Sequence, residues 1–156
     1  SLAMLRRAST LALRKGVADR ILFVRSDSEA MPFLDGCFDA AVCGGSLNEF
    51  QSAEAYLSEL RRVLRRGGLA SLMCQVESEQ PLFRALQRTI ARVGSLRILD
   101  PQATVALLRR FFTIAASLRI GAVLITQLTV PSTVSSATPA GNGESRRHLI
   151  EGIVYN

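Results

Sequence analysis

The sequence predicts an α/β fold, with a mostly parallel β-sheet and an antiparallel hairpin near the carboxyl end. Short β-rich runs alternate with amphipathic helical patterns along most of the 156 residues, and this order is typical of parallel strands joined by helical crossovers. Two further β-rich runs are separated only by Gly121, which predicts a hairpin at one edge of the sheet. With 48% hydrophobic and 21% charged residues, the composition indicates a globular domain.

The first elements are predicted as helix, strand, loop and strand. Apolar residues recur at helical spacing over residues 3–15, and Gly16 ends that helix. The run "RILFVR" at residues 20–25 predicts a short strand, which stops at Ser26-Asp27. A loop over residues 28–36 carries a turn signal, and the nearly continuous apolar run "FDAAVC" at residues 38–43 predicts a central strand covered on both faces.

A capped helix comes next. Ser52 has the side chain of an N-cap, and the helix is predicted to continue through Arg66, where Gly67-Gly68 end it. The run "LASLMCQV" at residues 69–76 predicts the third strand.

Two more helices and the hairpin complete the pattern. Residues 81–93 form an amphipathic helix, and Asp100-Pro101 begins another that ends near Phe111. The hairpin strands cover residues 113–120 and 122–130. The side chains predicted to point inward from the first of these helices are Leu82, Phe83, Leu86, Ile90 and Val93.

Composition predicts three regions along the chain. Residues 1–130 form the α/β domain. Residues 131–147 are rich in Ser, Thr, Pro and Gly, which predicts a flexible linker. Residues 148–156 turn apolar again and are predicted to be an arm that docks as a final strand.

Several classes of site are disfavoured by the residue inventory. The three cysteines form no CxxC pair, so neither a disulfide framework nor a zinc or other metal site is predicted. His148 is the one histidine, which disfavours Ser-His-Asp and Cys-His catalysis. No apolar stretch reaches the ~18 residues of a membrane span, and no signal-peptide core is present. We therefore expect a cytoplasmic protein without a membrane partner.

The net charge of +6 comes almost entirely from arginine. The arginines occur as scattered pairs on predicted polar helix faces, without the interleaved aromatic residues on which bases stack. This pattern favours a solvated surface and disfavours a nucleic-acid partner.

Two features lie where open α/β sheets bind ligands, at the carboxyl ends of predicted strands. Asp27 could accept hydrogen bonds from an adenine amino group or a ribose hydroxyl, or it could simply start an Asx-type loop. Gly44-Gly45 could end the strand through positive φ. Alternatively, the two glycines leave room for a ligand beside the backbone.

The ordered set of motifs resembles class I S-adenosylmethionine-dependent methyltransferases of the small-molecule branch. The resemblance is carried by "RILFVRSDSEAMPFLDGCFDAAVCGGSLNEF" and by "AYLSELRRVLRRGGLASLM". It implies a Rossmann-like fold, S-adenosylmethionine as cofactor and a small-molecule methyl acceptor.

The resemblance also implies roles for particular residues. An acidic residue after the third strand of the family contacts adenine, the loop after the fourth strand lies near the methionine part, and the next residues face the acceptor. The implied cofactor-binding residues are Asp27, Ser28, Gly44, Gly45 and Ser46, and the implied substrate-binding residues are Asn48 and Glu49. By position, the helix around Phe83 to Arg92 is also expected to face the acceptor. No catalytic residue is assigned, because in-line methyl transfer depends mainly on positioning.

The chain departs from the family at its amino end. The glycine-rich cofactor loop and the first two family strands have no counterpart, so the resemblance implies an N-terminally truncated methyltransferase fold. The strand at residues 20–25 would then lack its usual neighbours. It could pair with the next strand, with another chain in a homodimer or complex, or with the arm at Leu149–Tyr155, or the sequence could be part of a longer protein.

Two functions follow from these observations. The first is methyl transfer from S-adenosylmethionine to a small molecule by the completed domain. The alternative is a non-catalytic, methyltransferase-like module for binding or oligomerisation, which the missing glycine loop favours.

Overall fold

The computed structural model describes residues 2–93, 97–132 and 151–155, and the chain divides into two compact units. Residues 1–32 and 132–156 form the first unit, and residues 33–131 form the second. The helices are α1 (Leu2–Arg14), α2 (Ala53–Val63), α3 (Pro81–Val93) and α4 (Pro101–Phe111). The strands are β1 (Ile21–Arg25), β2 (Phe38–Gly44), β3 (Leu64–Gln75), β4 (Thr113–Ile120), β5 (Val123–Thr129) and β6 (Glu151–Tyr155).

The first unit is built around a two-stranded parallel sheet. Strand β1 pairs with β6 from Ile21 opposite Glu151 to Arg25 opposite Tyr155. Helix α1 contacts β1 and buries Leu5 and Ala12. The alternative in which the carboxyl-terminal arm adds as a strand is therefore confirmed over residues 151–155. His148 and residues 133–147 of the predicted linker lie outside the described residues, and the predicted domain limits stay predictions.

The second unit contains a four-stranded sheet with the order β2-β3-β5-β4. Strands β2 and β3 are parallel, whereas β3 and β5 and then β5 and β4 are antiparallel. The parallel pair with an antiparallel hairpin at the edge confirms the predicted α/β fold class. The predicted starts of α2 at Ser52 and of α4 at Asp100 are confirmed as well. Ser52 Oγ accepts from Ala55 N at 3.1 Å, and Asp100 Oδ1 accepts from Ala103 N at 2.7 Å.

The core of the second unit lies between one face of the sheet and two helices. Helices α2 and α4 contact each other, α2 contacts β3, and α4 contacts β4. The largest fully buried aliphatic side chains include Leu57 on α2, Leu72 on β3, Leu108 on α4 and Leu128 on β5. Burying such side chains contributes about 1.5–3 kcal/mol each.

The opposite face of this sheet is exposed, so the prediction of a β2 strand covered on both faces is wrong. Val42 is 83% exposed, and Leu69, Met73 and Leu118 on the neighbouring strands are exposed too. Because side chains alternate along a strand, helices on the Cys43 side leave the Val42 side open. The continuous apolar run "AAV" gave no alternation from which this could be inferred.

Helix α2 is shorter than predicted and ends at Val63, three residues before Arg66. Strand β3 starts directly at Leu64, which is buried and pairs with Phe38. The arginines of this region bind the segment before and within β2. Arg62 Nη1 binds Asp35 Oδ1 at 2.7 Å, and Arg65 pairs with Asp39. The backbone is already extended at Leu64, and its pairing with Phe38 accounts for the early helix end.

Gly68 has a different role from the helix stop that was predicted. A Cβ atom at this position would lie 2.8 Å from the carbonyl oxygen of Arg65 and 3.2 Å from that of Asp39. Real Cβ contacts are not that short, so only glycine allows the two backbones to approach here. The register of β2 against β3 shifts in this region, between Phe38 and Ala40.

Helix α3 has the predicted limits, but its orientation is opposite to the prediction. Leu82, Phe83, Leu86 and Ile90 are all exposed, and the side chain of Val93 lies outside the described residues. The half-buried positions with described contacts are instead Arg84 and Gln87.

Candidate functional site

The segment after β1 forms a tight loop around Asp27. Asp27 Oδ1 accepts from Glu29 N at 2.9 Å, and the carbonyl oxygen of Asp27 accepts from Ala30 N at 3.3 Å. This is the Asx-type loop start that was one of the two interpretations. The residue itself is exposed, so the loop contact and a ligand contact are compatible. The cofactor role of Asp27 stays a prediction.

The two serines beside Asp27 carry hydrogen-bonding groups that the described structure does not use. Ser28 is only 4% exposed. The hydroxyl oxygens of Ser26 and Ser28 are buried, and neither has a hydrogen-bond partner among the described residues. Buried polar groups in proteins are nearly always paired, and an unpaired one costs about 1–3 kcal/mol. This segment therefore has unmet hydrogen-bonding capacity next to an exposed carboxylate.

In the second unit, β2 ends at Gly44, and Gly45 follows it. The two positions differ in whether the backbone conformation requires glycine. Gly45 has φ of +91° and precedes a short 3-10 helix at Ser46–Asn48. Its amide donates to the carbonyl oxygen of Met73 at 2.9 Å. Gly44 has no positive φ, and a Cβ atom there would have no heavy atom within 4 Å. Positive φ explains Gly45, whereas nothing in the packing requires a glycine at position 44.

Asn48 fastens this loop to the carboxyl end of β3. It is completely buried. Its Oδ1 accepts from Gln75 N at 2.8 Å, and its Nδ2 donates to the carbonyl oxygens of Gln75 at 2.8 Å and Arg97 at 2.5 Å. The described contacts of Asn48 are thus with backbone groups of this unit, and its predicted contact with an acceptor stays a prediction.

The two other predicted residues of this loop are accessible. Glu49 is exposed and Ser46 is half-buried, and Glu49 N donates to the carbonyl oxygen of Ser46 at 2.9 Å. The structure brings Gly44, Gly45, Ser46 and Glu49 together at one strand end, where parallel sheets place their ligand sites.

Sequence reasoning assigned Asn48 to a substrate and missed its structural contacts. Its partners Gln75 and Arg97 lie 27 and 49 residues further along the chain. No local spacing or composition signal connects positions so far apart. The unpaired hydroxyl of Ser26 was missed for the same reason, because burial at that position depends on the folded chain.

A buried aromatic and thiol cluster lies among Cys43 on β2, Cys74 on β3 and the start of α2. Phe50 and Tyr56 pack with ring centroids 4.2 Å apart. Burial, with a smaller contribution from Cys43, raises the pKa of Tyr56 above its ordinary value. Burial likewise raises the pKa of the Cys74 thiol from about 9.0 to about 11, and Cys43 adds to that change. Both groups are therefore neutral in the folded protein near neutral pH.

These pKa values predict a loss of stability at alkaline pH. Between pH 9 and pH 11 the unfolded chain ionises Cys74 while the folded protein keeps it protonated, so the free energy of unfolding falls as pH rises. We expect a loss of about 1 kcal/mol by pH 10, measured by urea unfolding. Cys74→Ala should reduce this pH dependence, and Cys37→Ala, which removes an exposed thiol, should not. Equal pH dependence in all three proteins would contradict the assignment.

Two absences concern only the described part of the chain. Within it, no cluster of three or more His, Cys, Asp or Glu side chains could hold a metal ion. None of its helices combines the length and hydropathy needed to cross a membrane.

Comparison with known proteins extends these observations. A family model described as a methyltransferase domain matches residues 1–72. A sterol 24-C-methyltransferase from Gibberella zeae is 40% identical over 63 residues, which are 40% of this chain and 17% of that protein. A ubiquinone/menaquinone biosynthesis C-methyltransferase from Allorhizobium ampelinum is 35% identical over 72 residues, which are 46% of this chain and 28% of that protein. The matches thus span less than a third of these two curated relatives.

A solved structure shows the same fold. The (4+2)-cyclase SpnF superposes with a TM-score of 0.72 and 19% sequence identity, over 84% of this chain and 64% of that one. At this identity the likeness shows the fold alone, and one fold carries many activities. The methyltransferase matches, by contrast, rest on sequence, and they give no support to the alternative of a non-catalytic module.

Proposed function

On the premise that this chain resembles class I S-adenosylmethionine-dependent methyltransferases, as the matches confirm, we propose that it binds S-adenosylmethionine and serves methyl transfer to a small molecule. The observation that carries this proposal is the exposed Asp27 carboxylate at the carboxyl end of β1, which the hydrogen bond from Glu29 N holds in place.

The chemistry of that segment suits a nucleoside. Adenine offers an exocyclic amino group and ring nitrogens, and the ribose offers hydroxyls. A carboxylate accepts from the amino group or the hydroxyls, while the backbone N–H of the next residue can donate to a ring nitrogen. In our proposal the Asp27 carboxylate and the backbone amide of Ser28 contact the adenine, as the family resemblance implies.

The loop after β2 is proposed to accommodate the methionine portion of the cofactor. The space at Gly44, where a Cβ atom would meet nothing, supports a close approach of a ligand to the backbone. Gly45 and Ser46 continue that backbone into the short 3-10 helix. These three residues are assigned by the resemblance and supported by this opening.

The acceptor side is proposed by position. Glu49 has the exposed carboxylate of this loop, and we propose that it contacts the acceptor, while Asn48 holds the loop in place through its backbone hydrogen bonds. When bound, S-adenosylmethionine supplies the reactive methyl group. The chain's own contribution is to position donor and acceptor, which is the main requirement of in-line transfer.

Calorimetric titration of S-adenosylmethionine into the 156-residue chain tests the proposal. We expect saturable binding, and we expect Asp27→Ala to weaken it by about tenfold or more, because hydrogen bonds to charged groups contribute roughly 1.5–3 kcal/mol. Asp19→Ala is the matched control, since Asp19 is exposed in the same unit but precedes β1 at its amino end. That variant should bind like the wild type.

Two outcomes would overturn the proposal. If the chain has a native circular dichroism spectrum but does not bind S-adenosylmethionine at millimolar concentration, S-adenosylmethionine is not its cofactor. If Asp27→Ala and Asp19→Ala weaken S-adenosylmethionine binding equally, Asp27 does not contact the adenine. The cytoplasmic location and a homodimer or partner chain completing the sheet stay predictions from the sequence.

A further inference from the structure

The most unusual surface of the second unit is the apolar face of α3. Leu82 is 81% exposed and Phe83 is 56% exposed, and Leu86 and Ile90 are more than half exposed as well. The four side chains fall at spacings of three, four and seven residues, so they share one side of the helix. Single exposed apolar residues are ordinary, but a contiguous row on one helix indicates an interaction surface.

Polar side chains attach α3 to the rest of the unit. Gln87 accepts from Ser78 N at 2.8 Å through Oε1 and donates to the carbonyl oxygen of Val76 at 3.1 Å through Nε2. Arg84 Nε donates to the carbonyl oxygen of Ser78 at 2.9 Å. These bonds fix the helix on the loop after β3 and keep its apolar row directed away from that loop.

The charge of α3 identifies the kind of partner. Its sequence, PLFRALQRTIARV, contains Arg84, Arg88 and Arg92 and no acidic residue. Arg88 also contacts Glu77 at 3.2 Å, but its side chain remains 60% exposed. Arg84 is bound to the Ser78 carbonyl, so Arg88 is the exposed arginine among the described side chains of α3. A helix with a leucine- and phenylalanine-rich face, arginines as its only charged residues and no acidic residue has the composition of helices that lie in a bilayer interface.

We propose that α3 binds the surface of an anionic lipid bilayer, with Leu82, Phe83, Leu86 and Ile90 inserted at the boundary between headgroups and acyl chains. Thirteen residues give a helix about 20 Å long, too short to span a bilayer but suited to lying in its surface. The expectation of no membrane partner rested on the absence of an apolar stretch long enough to span a bilayer, and binding to the bilayer surface replaces that expectation.

A second copy of the chain fits this face less well. Each chain has a net charge of +6, and α3 has no acidic residue that could pair with an arginine of a second copy. Like charges at an interface oppose association. Anionic headgroups instead attract arginine, and this attraction weakens as salt concentration rises.

The chain offers a clean reporter, because it contains no tryptophan. Phe83→Trp places a single tryptophan on the apolar row, and Leu34→Trp places one at a loop residue outside α3. We expect the Phe83→Trp fluorescence to shift to shorter wavelength on mixing with phosphatidylcholine vesicles containing phosphatidylglycerol. With Leu34→Trp, or with phosphatidylcholine alone, the shift should be small.

Co-sedimentation with the same vesicles supplies the energetic test. Leu82 and Leu34 are both 81% exposed, so Leu82→Ser and Leu34→Ser remove equal side chains from equally accessible positions. We expect Leu82→Ser to weaken partitioning by about tenfold and Leu34→Ser to leave it unchanged. Neither side chain is buried, so both variants should fold.

The remaining outcomes overturn the proposal. In the first, the wild type shows no vesicle binding, or it binds equally well without phosphatidylglycerol. In the second, Leu82→Ser and Leu34→Ser change vesicle partitioning equally. A dimer in light scattering that Leu82→Ser dissociates would assign the face to a second copy. All measurements are made without cofactor, so they do not depend on the proposed methyl transfer.

Discussion

Replacing Asn48 by leucine is expected to lower the free energy of unfolding by about 3–5 kcal/mol. Leucine has a similar size but leaves Gln75 N and the carbonyl oxygen of Arg97 without the partners that Asn48 gives them. Each buried polar group left unpaired costs about 1–3 kcal/mol, and typical domains have only 5–15 kcal/mol in total. Urea unfolding followed by circular dichroism measures the loss.

Two further variants separate the hydrogen bonds from general effects of substitution. Gln51→Leu changes an amide to leucine at an exposed position of the same loop, and it should change stability by less than about 0.5 kcal/mol. Asn48→Asp keeps the acceptor for Gln75 N but places a carboxylate against two carbonyl oxygens. Its deficit should therefore shrink at low pH, where the protonated carboxyl can donate. A deficit independent of pH, or equal losses for Asn48→Leu and Gln51→Leu, would contradict this role.

The adjacent glycines are expected to respond in opposite ways to alanine. Gly45→Ala should lower the free energy of unfolding by about 1–2 kcal/mol, because φ of +91° is unfavourable for a residue with a Cβ atom. Gly44→Ala should leave stability nearly unchanged, because the added methyl group meets nothing within 4 Å. If the cofactor approaches this backbone as we propose, Gly44→Ala should weaken S-adenosylmethionine binding by about tenfold, equivalent to 1.4 kcal/mol.

Urea unfolding and calorimetric titration of the same two variants test this pair. Stability measured for Gly44→Ala also verifies that any loss of binding is not a loss of fold. Unchanged affinity in Gly44→Ala would falsify the proposed approach of the methionine portion. Equal stability of the two variants would instead show that the positive φ of Gly45 is not under strain when a Cβ atom is added.

The sequence was a reliable guide where local chemistry decides the structure. The helix starts at Ser52 and Asp100 were predicted correctly, because an N-cap side chain binds a backbone amide only three residues away. The strand at 113–120 and the helices at 81–93 and 101–111 have the predicted limits. Pro81 begins the first of these helices, Asp100 caps the second, and Gly121 directly follows the strand, so a residue in or next to each element marks one of its limits.

Local patterns failed where partners lie far along the chain. The end of α2 was misplaced because Leu64 pairs in the sheet with Phe38, which lies far earlier in the sequence. The sequence of α3 showed two distinct faces but not which one turns inward. Hydrogen bonds from Gln87 and Arg84 to the loop after β3 decided that the polar face does.

In the candidate site, too, the sequence identified residues by their local position but not the contacts around them. Asp27, Gly44 and Gly45 were selected from the sequence because each follows a recognisable strand at its carboxyl end. Their surroundings were not predictable, namely the unpaired hydroxyl of Ser28 and the open space at Gly44. Both features depend on how distant parts of the chain pack together, so a local sequence pattern cannot predict them.

The sequence by itself determined the fold class, most element limits and the family resemblance. Tertiary structure decided which faces are covered: the Cys43 side of the sheet is buried, while Val42 and the leucines of α3 are exposed. It also decided that Asn48 holds a loop to β3 and that the carboxyl-terminal arm pairs with β1. The physical reason is that periodicity fixes which residues share a face, whereas burial of that face depends on elements that approach from elsewhere in the chain.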